Sequence, residues 1–312
     1  ADDSGLAIVA PNDISIEACQ ADDMTVTAGN AGFAYSEASV TLTSGDVTTF
    51  LGLAGASITG TCQYTVTYID SKTGTCPEVV TRIYTITDGG SSSTDSQTIT
   101  VEDTTAPAVT GSITASTVEG CDVSDAPAET TVAGLENLDA SLMIADVCTA
   151  DGALTVTSSV DTTGTCPLVI TRTYVVADAC GNTTAGIVHT ISVDDTTDPV
   201  IAAPADISIE ACIADATTVT AVNAGFAYSE TSVTLQSADV TTFLNLGGAS
   251  ITEACDYTVT YSDSQNGTCP VLVTRTYVIV DACGNSTNDI QTITVDDTTD
   301  PVIAAPADIS IE

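Results

Sequence analysis

Apolar positions cluster into short runs separated by turn residues. Val271–Val280 is a near-continuous run of Val, Ile, Thr and Tyr, the composition of a strand. The turn Ala-Cys-Gly-Asn follows, with Gly284 and Asn285 free to take positive φ. Ile290–Val295 alternates apolar and polar residues and returns as a last strand. Upstream, the same reading predicts strands at Ile207–Ala211, Thr217–Val222, Ser232–Leu235 and Tyr257–Asp263. Asp239–Leu246 fits either a strand or one helical turn, and no helical period of useful length occurs. Six or seven short strands at these intervals predict a two-sheet sandwich of about 100 residues.

The pattern repeats. Cys269–Pro301, CPVLVTRTYVIVDACGNSTNDIQTITVDDTTDP, has copies at Cys166–Pro199 and, more worn, at Cys76–Pro107. A spacing of roughly 90–100 residues means tandem domains. The expected boundaries are 1–105, 106–197 and 198–299. Residues 300–312 repeat the opening of the third copy and read as the first strand of a further one. They fit either a longer array or, less well, a strand donated to a neighbouring molecule. NAGFAYSEASVTL at 30–42 recurs as NAGFAYSETSVTL at 223–235 but not in the middle copy, so the order is A-B-A. Short proline-ended linkers predict an extended rod.

Composition narrows the function. The chain has 312 residues, four Lys and Arg, and a formal net charge of −38. Nucleic acid is excluded as a partner, because phosphate contacts need cations. Anionic lipid is disfavoured for the same reason, and no apolar stretch is long enough to insert into a membrane. No signal peptide is recognisable, although Ala1-Asp2-Asp3 fits a mature end after cleavage. The acids recur at linkers and turns, which favours hard-cation binding, and Ca²⁺ in particular, over charge kept only for solubility.

Eleven cysteines fall three, four and four among the copies, with Gly90 at the fourth place in the first. Neither CxxC nor a zinc set occurs, so paired cysteines point to an oxidising, extracellular setting. Cys269 and Cys283 bracket one strand and should lie about 40 Å apart at ~3.3 Å per residue, whereas a disulfide needs Cα atoms within about 7 Å. Elimination within each copy then gives Cys255–Cys283 and Cys212–Cys269, Cys148–Cys180 and Cys121–Cys166, and Cys19–Cys76 with Cys62 unpaired.

Arg82, Arg172 and Arg275 each stand two before a tyrosine, Tyr84, Tyr174 and Tyr277. On a strand each pair shares a face. A structural ion pair with a cross-strand carboxylate is the favoured reading, ahead of a ligand-binding Arg-Tyr patch. The only lysine is Lys72, so isopeptide cross-links are excluded from the later copies. His189, the only histidine, lies mid-strand without a nucleophile set, so no enzyme is expected.

GTCPxxVTRTY (Gly267–Tyr277), DACGN (Asp281–Asn285) and TITVDDTTDP (Thr292–Pro301) resemble the immunoglobulin-like, HYR-like tandem repeats of large Bacteroidota cell-surface adhesins, including gliding-motility adhesins. The resemblance covers the whole chain and implies a secreted, non-catalytic surface stalk or filament. Its partners would be neighbouring repeats and possible identical chains. The alternative is a carbohydrate- or protein-binding module of a larger secreted protein. In an immunoglobulin-like order, Glu253, Asp281 and Asn285 approach the linker acids Asp194, Asp195 and Asp198. Asp146, Asp178 and Asn182 likewise approach Glu102 and Asp103. By analogy with other tandem extracellular modules, these are the expected calcium ligands. Asp-Thr-Thr in each linker also resembles the Bacteroidota O-glycosylation signal, making Thr104, Thr196 and Thr298 candidate acceptors.

Overall fold

The computed structural model describes residues 5–60 and 63–304. It is an all-β fold with a few short helices. In the third copy Tyr257–Gly267, Val271–Asp281 and Ser286–Asp296 form a long antiparallel meander. Ile207–Glu210 adds to its free edge in parallel, opposite Ile293–Asp296. Val233–Thr234 closes the other edge. A second, two-stranded layer pairs Val200–Ala202 with Ser250–Thr252. Between the layers lie Ile201, Phe243, Val259, Tyr261, Tyr277 and Ile279, all buried. A second cluster, with Val219, Val273, Ile293 and Val295, fills the other end of the large sheet. The first copy repeats this plan, with Ile14–Glu17 parallel to the last strand and Ala7–Val9 paired with Ser57–Thr59.

Alternation is strict where the meander was expected: Val271–Asp281 buries every second residue. The hairpin tip needs glycine at Gly267, where φ is +94° and a Cβ would lie 2.6 Å from the Pro270 carbonyl oxygen.

One expected strand is absent, one open reading is settled, and two short strands were not expected. Thr217–Val222 is not a strand, because Asp215 Oδ1 accepts from the amides of Thr217 (2.8 Å) and Thr218 (3.1 Å). That Asx turn removes donors from any ladder, and a short helix, Ala221–Ala224, follows. Asp239–Leu246 resolves as the helix Ser237–Leu244, with Asp239 capping the Gln236 amide and Phe243 fully buried. The two strands that form the second layer were not among those expected, since three-residue strands carry too little periodicity to read.

Two compact units emerge, and the middle copy's residues are divided between them. Of the described residues, the first holds those within 5–114, 128–160 and 172–189, and the second those within 115–127, 161–171 and 190–304. In the first unit Ala108–Thr110 pairs with Met143–Ala145 over a core of Leu135, Ile144, Tyr174 and Val176. In the second, Ser116–Glu119 runs parallel to Ile191–Asp194 over Ile170 and Val193. No helix among the described residues is long and apolar enough to cross a membrane.

The arginine expectation holds in two copies. Arg82 and Arg275 are fully buried and sit directly across from Asp70 and Asp263 in the strand register. Each pair is bidentate, with N–O distances of 2.7 and 2.8 Å. The remaining Arg82 donors reach the carbonyls of Ala31, Phe33 and Ala34. In the middle copy Arg172 is also buried, but Val160 occupies the place of Asp70 and Asp263. There His189 takes the place of Gln97 and Gln291, and burial and the Arg172 charge lower its pKa.

Candidate metal centres at the copy junctions

The cysteines lie at the ends of the meander as expected, but they bond to different partners. In the first unit Cys19 pairs with Cys148 and Cys76 with Cys180. In the second, Cys121 pairs with Cys255 and Cys166 with Cys283. Cα separations are 4.8 to 5.5 Å. The pairs Cys19–Cys76, Cys121–Cys166, Cys148–Cys180 and Cys255–Cys283 are therefore not formed. Cys212 and Cys269 are exposed free thiols, so that pair is not formed either. Elimination failed because it allowed partners only within one copy. Cys255 and Cys283 do share the open end of their hairpin, but the linker brings the preceding copy's Cys121 and Cys166 to that end. Cys62 lies outside the described residues.

Each junction also gathers acids. In the first unit, oxygens of Asp103, Asp146 and Asp178 all lie within 4.8 Å of one another. Asp103 and Asp178 are 4% and 5% exposed. Turn geometry holds these carboxylates. Asp178 Oδ1 accepts from the amides of Cys180 (2.8 Å) and Asn182 (2.9 Å). Asp146 Oδ1 accepts from the amides of Cys148 (2.8 Å) and Thr149 (2.6 Å). Asn182 Nδ2 donates to Asp178 Oδ2 and to the Asp103 carbonyl, both at 2.8 Å, tying the hairpin turn to the linker. Asp103 Oδ1 accepts from the Thr105 amide at 3.0 Å, while its buried Oδ2 has no hydrogen-bond partner.

The second unit repeats the arrangement with Asp195, Glu253 and Asp281. Asn285 Nδ2 donates to the Asp195 carbonyl (2.7 Å) and to Asp281 Oδ2 (2.8 Å). Glu253 Oε1 accepts from the amides of Ala254 and Cys255, both at 2.7 Å. A cleft of about 500 Å³ beside them is lined by Glu119, Asp122, Asp195, Asp198 and Glu253 among others.

Electrostatics follow from burial. Asp103 is raised above its ordinary value by burial and by the charges of Asp146 and Asp178. The Thr197 amide pulls Asp195 down, but burial and the charges of Glu253 and Asp281 outweigh it and leave it raised. For Asp178, burial pushes upward but the Asn182, Cys180 and Gly181 bonds win, and it is lowered. Each site therefore holds ionised carboxylate beside carboxylate that resists ionisation, which a bound cation would relieve.

The clusters thus contain Asp103, Asp146 and Asp178, and Asp195, Glu253 and Asp281, while Asn182 and Asn285 brace them. Glu102 and Asp194 are in neither carboxylate cluster, and Asp198 reaches only the cleft. Asp194 lies near Cys166 and Cys283, and Asp195 near Cys121 and Cys255, but disulfide sulfur is not the thiolate a metal takes.

Sequence reasoning missed a latch beside each site. Glu17 accepts from the Thr104 amide (2.8 Å), the Thr104 hydroxyl and the Thr105 hydroxyl (3.2 Å). Glu119 does the same with Thr196 and Thr197. These bonds lower the pKa of both glutamates. The signal was a glutamate ending the early strand in every copy. The hydroxyls of Thr104 and Thr196 are therefore already engaged, although both residues are exposed.

No protein-family model matches this sequence, and no curated protein does. Among solved structures, the protocadherin gamma B7 extracellular cadherin domains 1–4 align at 12% identity, covering 93% of this chain and 76% of that one, with a TM-score of 0.24. Drosophila N-cadherin EC1-3 aligns at 12% identity, covering 70% and 78%, with a TM-score of 0.22. An endo-fucoidan hydrolase from glycoside hydrolase family 107 aligns at 12% identity over 75% and 39%, also at 0.22. Superpositions at these scores carry no argument about function.

Proposed function

We propose that this chain is a structural, non-catalytic segment of a cell-surface adhesin or extracellular filament. Its three copies, 1–105, 106–197 and 198–299, are joined by paired disulfides and stiffened by calcium at the junctions. The disulfides fit an oxidising compartment. Four aromatics of the first copy, Phe33, Phe50, Tyr68 and Tyr84, are buried and pack on one another, which weakens the carbohydrate-binding alternative.

One observation carries the calcium reading. Asp103 Oδ2 is buried, unpartnered, and within reach of two further carboxylates. An uncompensated buried charge is costly. The donor set is hard oxygen throughout, from carboxylates and neighbouring carbonyl and amide groups, which suits Ca²⁺ rather than a softer metal. Glycosylation at Thr104, Thr196 and Thr298 stays within the proposal, at the cost of the latch hydroxyls.

Calorimetric titration with calcium tests this reading. Two sites are expected, in the range of about 10⁻⁴–10⁻³ M typical of extracellular modules. Asp103→Asn should remove one site and leave the other. No binding heat, or heat unchanged in the variant, would overturn it. Small-angle scattering should show a longer, stiffer particle in calcium than in chelator.

A further inference from the structure

The two junctions obey one sulfur rule. The first cysteine of a copy bonds the second of the next, as Cys19 does Cys148 and Cys121 does Cys255. The third bonds the fourth of the next, as Cys76 does Cys180 and Cys166 does Cys283. In the third copy the second and fourth cysteines are consumed by this rule. The first and third, Cys212 and Cys269, are exposed thiols.

We propose that Cys212 and Cys269 form the donor half of a third junction, which closes through two disulfides on a further copy of this repeat bearing its second and fourth cysteines. This rests on the reading of the chain as copies joined at junctions, but its readout is sulfur connectivity and not calcium.

The surroundings of the two thiols are already built as at a closed junction. Glu210 accepts from the Thr298 amide (2.8 Å), the Thr298 hydroxyl (2.7 Å) and the Thr299 hydroxyl (3.0 Å), the set that Glu17 and Glu119 hold. Asp297 Oδ1 accepts from the Thr299 amide at 3.0 Å, as Asp103 does from Thr105 and Asp195 from Thr197. The Ala211 amide donates to the Asp296 carbonyl, as that of Ala18 does to Glu102 and that of Gly120 to Asp194. Asp297 is open, however, where Asp103 and Asp195 are buried. A half-site pre-organised in this way needs no rearrangement to receive its partner.

The thiols are directed at acids rather than at each other. Cys212 Sγ donates to Asp297 Oδ2 (3.4 Å) and Cys269 Sγ to Asp296 Oδ1 (3.3 Å). The partner is a repeat of this kind, since both existing junctions are closed by the second and fourth cysteines of one. The first copy of a second molecule is a poor match. Gly90 replaces the fourth cysteine, and Gly60 stands at the spacing before Cys62 that Asp146 and Glu253 hold before theirs.

Each closure joins two thiols as a disulfide, giving up two protons and two electrons. A dithiol–disulfide oxidant takes them and is reduced to two thiols.

The test adds one more copy of residues 106–197 to the full chain directly after Thr299, folds it with a disulfide oxidant, and maps sulfur connectivity by unreduced peptide mass spectrometry. Cys212 should be linked to the added second-position cysteine and Cys269 to the added fourth. Iodoacetamide labelling of both should fall from complete, in the unextended chain, to none. A Cys212–Cys269 bond, a Cys212–Cys62 bond between molecules, or undiminished labelling in the extended chain would each overturn the proposal. Calcium heats at the two existing junctions report the calcium reading separately.

Discussion

Asp70 and Asp103 lie in the same copy, and both are withdrawn from water, at 3% and 4% exposure. They are treated in opposite ways. Asp70 meets a guanidinium that reaches both its oxygens and three backbone carbonyls. Burial alone would lower the Arg82 pKa, but Asp70 more than reverses this. Asp103 meets only other carboxylates and one amide. A chain with four cations spends two of them inside its outer copies, and the calcium proposed above would serve the buried acids of its junctions.

The sharpest way to break this contrast is to remove the internal cation. Arg82→Ala leaves Asp70 buried and unpaired and should cost about 3–5 kcal/mol, read by urea unfolding. Replacing both partners, with Arg82→Met and Asp70→Leu, should recover most of that loss, because a packed apolar pair avoids the desolvation cost. If the double variant is as unstable as the single one, the pair holds something beyond its own charge.

Removing a junction disulfide comes next. Cys19→Ser with Cys148→Ser opens a loop spanning 129 residues and should cost about 2–5 kcal/mol in thermal melts under oxidising conditions. Calcium is smaller. At a concentration 10–100 times the dissociation constant, it should add about 1.4–2.7 kcal/mol per site, and chelator should abolish that gain in the same melts.

Acid should also abolish it. The Asp103 pKa is raised, so any contribution it makes without metal is present at low pH and lost as pH rises through its folded value. Calcium must displace that proton. The calcium-dependent shift should therefore vanish as pH falls into the carboxylate range. The smallest effect is expected at the latch. Thr104→Val removes one exposed hydroxyl bond to Glu17 and should lower the melting temperature less than any of the changes above.

Much of this was legible in the sequence. The meander showed itself through alternation in Val271–Asp281, and the junction acids through their repetition beside DACGN. The arginine was legible because Asp70 and Asp263 stand opposite it in register. Connectivity was not, because strand length forbids pairs but does not say which copy supplies the partner. The turn at Asp215 was hidden for a different reason: a side chain took backbone donors that composition alone assigns to a ladder.

The disulfides across the first junction alter what cleavage would mean. A protease that cut the linker between Thr105 and Pro107 would sever only one of three covalent connections, since Cys19–Cys148 and Cys76–Cys180 span the same gap. The fragments would stay attached until a reductant arrived, so the durability of this joint is governed by the redox state of its surroundings rather than by its peptide bonds.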